Sequence, residues 1–444
     1  MGNGQSNSFR VQRSAFGVSE RSTQHAARIP LLRSVGPALI TACVVFGPGS
    51  LLVSANIGAS YRYQLLWLLV LTGVLMGTYM TTAARIGVVG GATPCTLVAQ
   101  RLGRPVAAIV AVNLCLICGT FQFSNNVAVA VAAGTLVPQL DARWVLLGLN
   151  GLVIVFLFAA KQIYRFLERT MKVMVGLMLL CFLVNVILAG PSLSGIVRGL
   201  IPSWPQGISL GVPEKIGGVI HDPMILIASL LGTTFSVAAA FYQGNLVREK
   251  GWTIKDYSRG IGDSVAGVCV LTGVSAIIMI TAATVIPGKP AEDIGVLAES
   301  LRPLLRSVAY VFFCVGLFAV AMNPFVINAM IGGSILADGI GKPCRLNDRW
   351  SRLFTVAVLL TGMIVGMLAL RAGQKPVKLI ILGQALTVIG NPLMAATILW
   401  LANRKDIMGD RRNTIVLNVL GGLGLLVVVL MAARVLMRLA LMLN

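Results

Sequence analysis

Acidic side chains are scarce in this sequence and imidazoles nearly absent: 15 Asp and Glu and two His occur among 444 residues. Charged residues of both signs make up only 11%, against about 25% in a soluble domain. A water-soluble fold would therefore leave most of its surface apolar. No carboxylate falls in residues 35–57, 105–137 or 377–402, so paired-carboxylate or carboxylate–imidazole chemistry has no foothold in those runs. No nucleophile–base pair or metal-ligand cluster is legible, and an enzyme is not expected. The first 30 residues lack the apolar core of a cleavable signal. They are polar and basic, and residues 1–33 are expected to be a disordered cytoplasmic leader. The eight cysteines are scattered through apolar runs, as reduced thiols packed like small hydrophobes would be. Cys115 and Cys118 form a CxxC, but inside "AVNLCLICGTF", where two packing residues one turn apart are the simpler reading.

Hydrophobic length is what the chain has in abundance. Apolar residues amount to 57%, and the mean hydropathy is +0.86. Eleven runs near the ~20 residues that cross a bilayer fall at about 35–57, 64–87, 105–137, 143–160, 170–190, 222–247, 260–286, 302–338, 352–370, 377–402 and 413–440. The formal charge of +21 would suggest nucleic acid in a soluble protein. With the N-terminus inside, however, 24 of the 36 Lys and Arg lie on the cytoplasmic side, which is the positive-inside pattern. The expectation is a multi-pass protein of the cell (inner, plasma) membrane, N-terminus cytoplasmic and C-terminus external. The lipid bilayer is its partner, nucleic acid is not, and the protein is expected to be monomeric.

One apolar run is interrupted by Phe46-Gly47-Pro48-Gly49-Ser50. A counterpart lies five runs later: "HDPMILIASLLGTTFSVAAAFYQGNLV" carries Gly232-Thr233-Thr234 and Ser236 at mid-depth, then Gln243. An odd offset means the two runs point in opposite directions. Interrupted segments at matching places in two inverted halves mark secondary transporters with a midplane site, and irregular backbone at that depth is tolerated where it lines a cavity. The expected fold is all-α. Residues 34–190 form a first inverted repeat of five spans and 222–402 a second; 191–221 form an external loop, and 403–444 an eleventh span with the C-terminus.

Several segments carry a family resemblance: "LLWLLVLTGVLMGTYMTTAARIGVVGG", "YRFLERTMKVMVGLM", "LFAVAMNPFVINAMIGGSILADG" and "LGQALTVIGNPLMAATILWLANRKDIMG". From about residue 33 to 430 the chain resembles the Nramp family of divalent-metal transporters. The resemblance implies a LeuT-like fold of two inverted five-helix repeats plus an eleventh helix. It also implies departures. Metal-carrying members have Asp-Pro-Gly-Asn at Gly47–Ser50, their Met-Pro-His aligns with Ser236-Val237-Ala238, and a second family histidine aligns with Gln243. Pro48, Gly49 and Gln384 match the family. The chain is thus expected to be a divergent relative without the metal ligands, and no metal site is assigned.

What remains is a neutral break. The candidate substrate site comprises Gly47, Pro48, Gly49, Ser50, Thr233, Thr234, Ser236 and Gln384. Asp222, Asp263, Glu299 and Asp338 lie toward span ends, and His221 sits at the mouth of the sixth run. Without carboxylates, the half-helix ends dominate, and their free N–H groups attract small anions. The leading expectation is a secondary transporter of a small inorganic anion such as bicarbonate. The alternatives are a magnesium or manganese carrier of unusual ligation, and a carrier of an uncharged solute or a transport-dead sensor. Gln122, Ser124, Asn125 and Asn126, with Asn323, Asn328 and Gln243, are candidates for lining the cavity or holding a coupling ion, sodium or proton. No other cofactor is expected.

Overall fold

Once water is excluded, each backbone N–H and C=O must be satisfied within its own segment, and the apolar runs fold as helices for that reason. The computed structural model describes residues 46–137, 139, 141–159, 176, 180, 182–205, 208–217, 219–289, 294–298, 309–373 and 375–443. The leader, residues 35–45 of the first run, the link between the fourth and fifth runs with much of the fifth, Glu299 and the start of the eighth run lie outside them.

In chain order the helices are α1 (Pro48–Tyr61), α2 (Leu66–Gly90), α3 (Pro94–Leu102), α4 (Arg104–Leu136) and α5 (Ala142–Ala159). Then come α6 (Phe182–Ala189) and α7 (Leu193–Gly199), bent by 115°. A short hairpin, β1 (Glu214–Ile216) and β2 (Val219–His221), pairs antiparallel with Glu214 opposite His221. The second half holds α8 (Ile225–Thr234), α9 (Val237–Glu249), α10 (Tyr257–Val285), α11 (Ile294–Ala298), α12 (Ala309–Gly339) and α13 (Arg349–Arg371). It closes with α14 (Pro376–Thr387), α15 (Asn391–Asn403), α16 (Lys405–Met408) and α17 (Ile415–Leu443). Among the described residues eight helices are long and apolar enough to cross a membrane, or nine with the bent pair; α5 is a shorter apolar helix.

The helices sort into two groups. In one, α10 packs on α1 and α2 while α9 packs on α2; in the other, α12 lies along α4 and α13, and α13 also meets α4 and α5. Helix α14 touches both groups, through α1 and α8 on one side and α4 on the other. The crossings are close because small residues occupy them, the usual means of helix contact where lipid removes the hydrophobic drive. A Cβ on Gly58 would overlap the Met279 carbonyl of α10, and one on Gly87 the Gly244 carbonyl of α9.

The stretch expected to be an external loop is structured in part. Helix α7 sets Gly195 and Gly199 against Tyr63 in the α1–α2 turn. Buried Asp222 pairs with Arg434 (3.2 Å) and Arg438 (3.6 Å), fastening α17 to the start of α8. At the opposite end Asp338, buried in the last turn of α12, accepts from Thr96 Oγ1 (2.9 Å) and Asn245 Nδ2 (3.3 Å). Both acids sit at span ends, Asp222 just before α8 and Asp338 against Asn245 of α9, rather than at the breaks themselves.

Candidate functional site

Helix α1 starts where the first interruption was read. Pro48 suits the first turn, having no N–H to leave unpaired there. Gly47 is an extended N-cap (φ −124°, ψ −173°) whose missing side chain cannot cap the helix. Leu51 N donates to Gly47 O at 3.2 Å, so Gly49 and Ser50 hold the first-turn amides, which have no carbonyl partner within the helix. A Cβ on Gly47 would meet Pro324 Cγ of α12 at 3.1 Å and Asn125 Oδ1 of α4 at 3.7 Å. Everything from Phe46 to Ala59 is buried.

The second interruption lies two residues beyond its expected centre. Gly232, Thr233 and Thr234 are helical, and the chain breaks at Phe235 and Ser236 between α8 and α9. Thr233 Oγ1 turns back to Leu230 O of its own helix (3.0 Å). Thr234 Oγ1 is buried and has no partner among the described residues. Ser236 is the N-cap of α9, with no side-chain cap bond. Ser236, Ala238 and Ala239 line a cavity of about 20 Å³ with Cys118, Phe121, Asn328 and Ile331, which is room for about one water.

Gln384 of α14 joins the two breaks. A Cβ on Gly49 would overlap the Gln384 side chain, and one on Gly232 would overlap the Gln384 carbonyl. Its Nε2 donates to Ser124 Oγ of α4 at 2.7 Å. Thr387 Oγ1 donates to Gln384 O at 2.6 Å, and Ser229 Oγ of α8 to Ile381 O at 2.9 Å. Gly49 and Gly232 are therefore small because a glutamine side chain and a carbonyl lie against them. Sequence reasoning missed Thr387, Ser229 and Pro324. The only available signal was Thr387 one turn after Gln384, on the same face.

The polar residues of α4 divide by face. Ser124 points to α14 and Asn125 toward Gly47, whereas Gln122 and Asn126 lie against Gly362 and Gly366 of α13. The last two thus lie on a different surface of α4 from the one that meets the first break. Gln243 is fully buried two turns into α9. Asn323 is helical, next to Pro324 in α12, and its side chain is outside the description. Among the described residues no three His, Cys, Asp or Glu come together as metal ligands would.

The family model described as natural resistance-associated macrophage protein-like matches residues 38–438. The divalent metal cation transporter MntH of Deinococcus radiodurans is 24% identical over 388 residues, 85% of this chain and 84% of that one. Its namesake in Acidiphilium cryptum is 23% identical over 406 residues, 90% and 88% of the two chains. Among solved structures, the Eremococcus coleocola manganese transporter in complex with an aromatic bis-isothiourea substituted compound superposes with a TM-score of 0.71. It is 20% identical, with 91% of this chain and 86% of that one covered. Mhp1, a nucleobase-cation-symport-1 family transporter, reaches 0.50 at 13% identity, covering 90% of this chain and 92% of its own.

Proposed function

The chain belongs to the Nramp family, and from that premise we propose that this secondary transporter carries a small inorganic anion, with bicarbonate the candidate. The fold is LeuT-like, the protein spans the membrane many times, and a small ion is its substrate. The finer reading rests on one observation: α1 and α9 both begin at buried, uncapped N-termini, and the breaks contain no carboxylate. Each helix start offers free N–H groups and roughly half a positive charge, the arrangement that binds anions elsewhere. Ser50, Thr234, Ser236 and Gln384 add hydroxyl and amide donors. Bicarbonate is planar, small and rich in acceptors. On this reading Gly47, Ser50 and Ser236 stand where the family's metal-carrying members hold their ligands, and the cation site has been lost.

The names of the relatives favour a second reading, a divalent cation carrier. A hydrated divalent ion sheds water only where hard, charged oxygens offset the loss, and manganese favours a nitrogen or sulfur ligand as well. The first break carries a serine and the second a serine and a phenylalanine, a poor set for either requirement. Uptake of labelled bicarbonate, manganese and magnesium into proteoliposomes decides between them. Saturable bicarbonate uptake without manganese or magnesium uptake is expected. Metal uptake with no bicarbonate flux overturns the proposal.

A further inference from the structure

Gln122 is fully buried in α4, yet neither its Oε1 nor its Nε2 has a hydrogen-bond partner among the described residues. Inside a membrane protein an unpaired primary amide is strongly disfavoured, because no bulk water reaches it. A group in this state calls for an occupant.

The surroundings are shaped around it. Helix α13 presents Gly362 and Gly366, four residues apart and so on one face. A Cβ on Gly362 would fall 2.5 Å from Gln122 Cγ, and one on Gly366 would fall 3.2 Å from Asn126 Cβ. Glycine at 362 leaves the space that the Gln122 side chain fills, and glycine at 366 eases the approach of Asn126. Asn126 Nδ2 donates to Gln122 O at 2.8 Å, which fixes its ring of contacts one turn along α4. Asn126 Oδ1 accepts from Asn150 Nδ2 of α5 at 2.8 Å, and Asn150 Nδ2 is also held by Leu146 O at 2.8 Å. Asn150 is 1% exposed, and its Oδ1 has no partner among the described residues. At the contact of three helices, Gln122 with an unpaired oxygen and N–H₂ and Asn150 with an unpaired oxygen are thus buried and linked through Asn126.

The chemistry narrows the occupant. Amide oxygens are hard donors and suit hard cations. A divalent ion would also need anionic ligands to offset its dehydration, and Gln122, Asn126 and Asn150 are all neutral. We propose that α4, α5 and α13 enclose a site for a hard monovalent cation, coordinated by Gln122 Oε1 and Asn150 Oδ1, with sodium as the ion to test. A water in the cation's shell accepts from Gln122 Nε2. The site lies on a different face of α4 from Ser124 and Asn125, which meet α14 and the first break. One helix therefore carries the cation on one face and borders the substrate break on another, the placement a coupling ion needs. The inference holds whichever ion the break carries.

The test is ²²Na⁺ binding by scintillation proximity, on purified full-length protein in choline chloride with no substrate present. Saturable binding is expected, displaced by unlabelled sodium and not by choline. Gln122→Leu and Asn150→Leu should each weaken it about tenfold or more, since a charge-assisted contact is lost. Gln122→Glu keeps the side chain's shape and adds a charge, so it should bind sodium about tenfold more tightly. Absence of saturable binding to the wild type overturns the proposal, as does a Gln122→Glu variant that binds no better than the wild type. If water alone fills the site, both leucine variants melt higher than the wild type and sodium shifts no melting temperature, which also overturns it. Because the readout requires no transport, its failure leaves the anion proposal standing, and a failed bicarbonate assay leaves this one standing.

Discussion

Gly47→Asp puts a carboxylate at the first break, and its consequence can be worked from the geometry. Gly47 is an extended N-cap, a conformation any residue adopts, and the new Cβ would lie 3.1 Å from Pro324 Cγ and 3.7 Å from Asn125 Oδ1. Pro324 must give by a few tenths of an ångström. Against that strain, aspartate is a preferred N-cap, worth about 0.5–2 kcal/mol to a helix that had no side-chain cap. The variant should therefore fold and express normally. An anion held by the amides of Gly49 and Ser50 would then face a unit charge ~4 Å away. At an effective dielectric of about 20 this repulsion is about 4 kcal/mol, close to a thousandfold in affinity. The carboxylate would also occupy the same N–H groups. Uptake of labelled bicarbonate by proteoliposomes should fall to background in Gly47→Asp, and in Ser50→Asp for the same reason. A divalent cation site responds with the opposite sign, since added negative charge retains or improves binding. If both variants fold normally and carry bicarbonate at the wild-type rate, the anion reasoning is wrong.

Two further outcomes follow from the packing and the charge pattern. Gly49→Ala forces a methyl into the Gln384 side chain, and should destabilise by about 1–3 kcal/mol as overpacked cores do; Gln384→Ala should relieve most of that cost. A double-mutant cycle by thermal melting reads the coupling, and strictly additive effects would contradict the Gly49–Gln384 contact. For topology, an impermeant maleimide applied from outside should label Ser203→Cys and spare Lys342→Cys in a cysteine-free background. Both positions are exposed, and the reverse pattern would invert the orientation read from the basic residues.

Much of the fold was legible because its determinants are periodic and long. Run length, the odd offset between interruptions and the Gly-Pro pair at Gly47 and Pro48 led to the reading of two inverted helical repeats, and the family resemblance added the LeuT-like fold. The approach of Gln384 to Gly49 and Gly232 was legible only in outline. The second break was located only within Gly232–Ser236, because Gly232 looks like a helix breaker in sequence. In three dimensions it is a spacer against the Gln384 carbonyl, and the helix continues through it to Thr234. Threonine is equally ambiguous: Thr233 bonds back to its own helix, as Ser and Thr often do when buried. The α4 cluster defeated pattern reading for another reason. Gln122, Ser124, Asn125 and Asn126 fall within five residues and at ~100° per residue cover more than half the circumference, so no stripe marks which of them share a face. Only the glycines of α13 and the serine bond to Gln384 separate them. Likewise the tenth run is read as one continuous span, although Gly390 and the Asn391-Pro392 pair mark the end of the 3₁₀ turn at Val388–Gly390 and the start of α15.

The placement of Gln384 bears on how a neutral break can select an ion by sign. A charged residue at this junction would fix the preferred ion by Coulomb attraction alone. A glutamine, whose Nε2 is engaged by Ser124 and whose side chain covers Gly49, contributes a dipole and no net charge. The sign is then left to the backbone: the start of α1 at the first break, and at the second the end of α8 and the start of α9. Gln384 also ties α14 to α4, while α14 packs against α1 and α8. A substrate that displaces the Gln384 amide from Gly49 must break or bend the bond to Ser124, and so acts directly on the helix whose α13-facing side buries Gln122. The route from the substrate break to the cation site is one side chain, one hydrogen bond and one rigid helix, a connection short enough for binding at either end to bias the other.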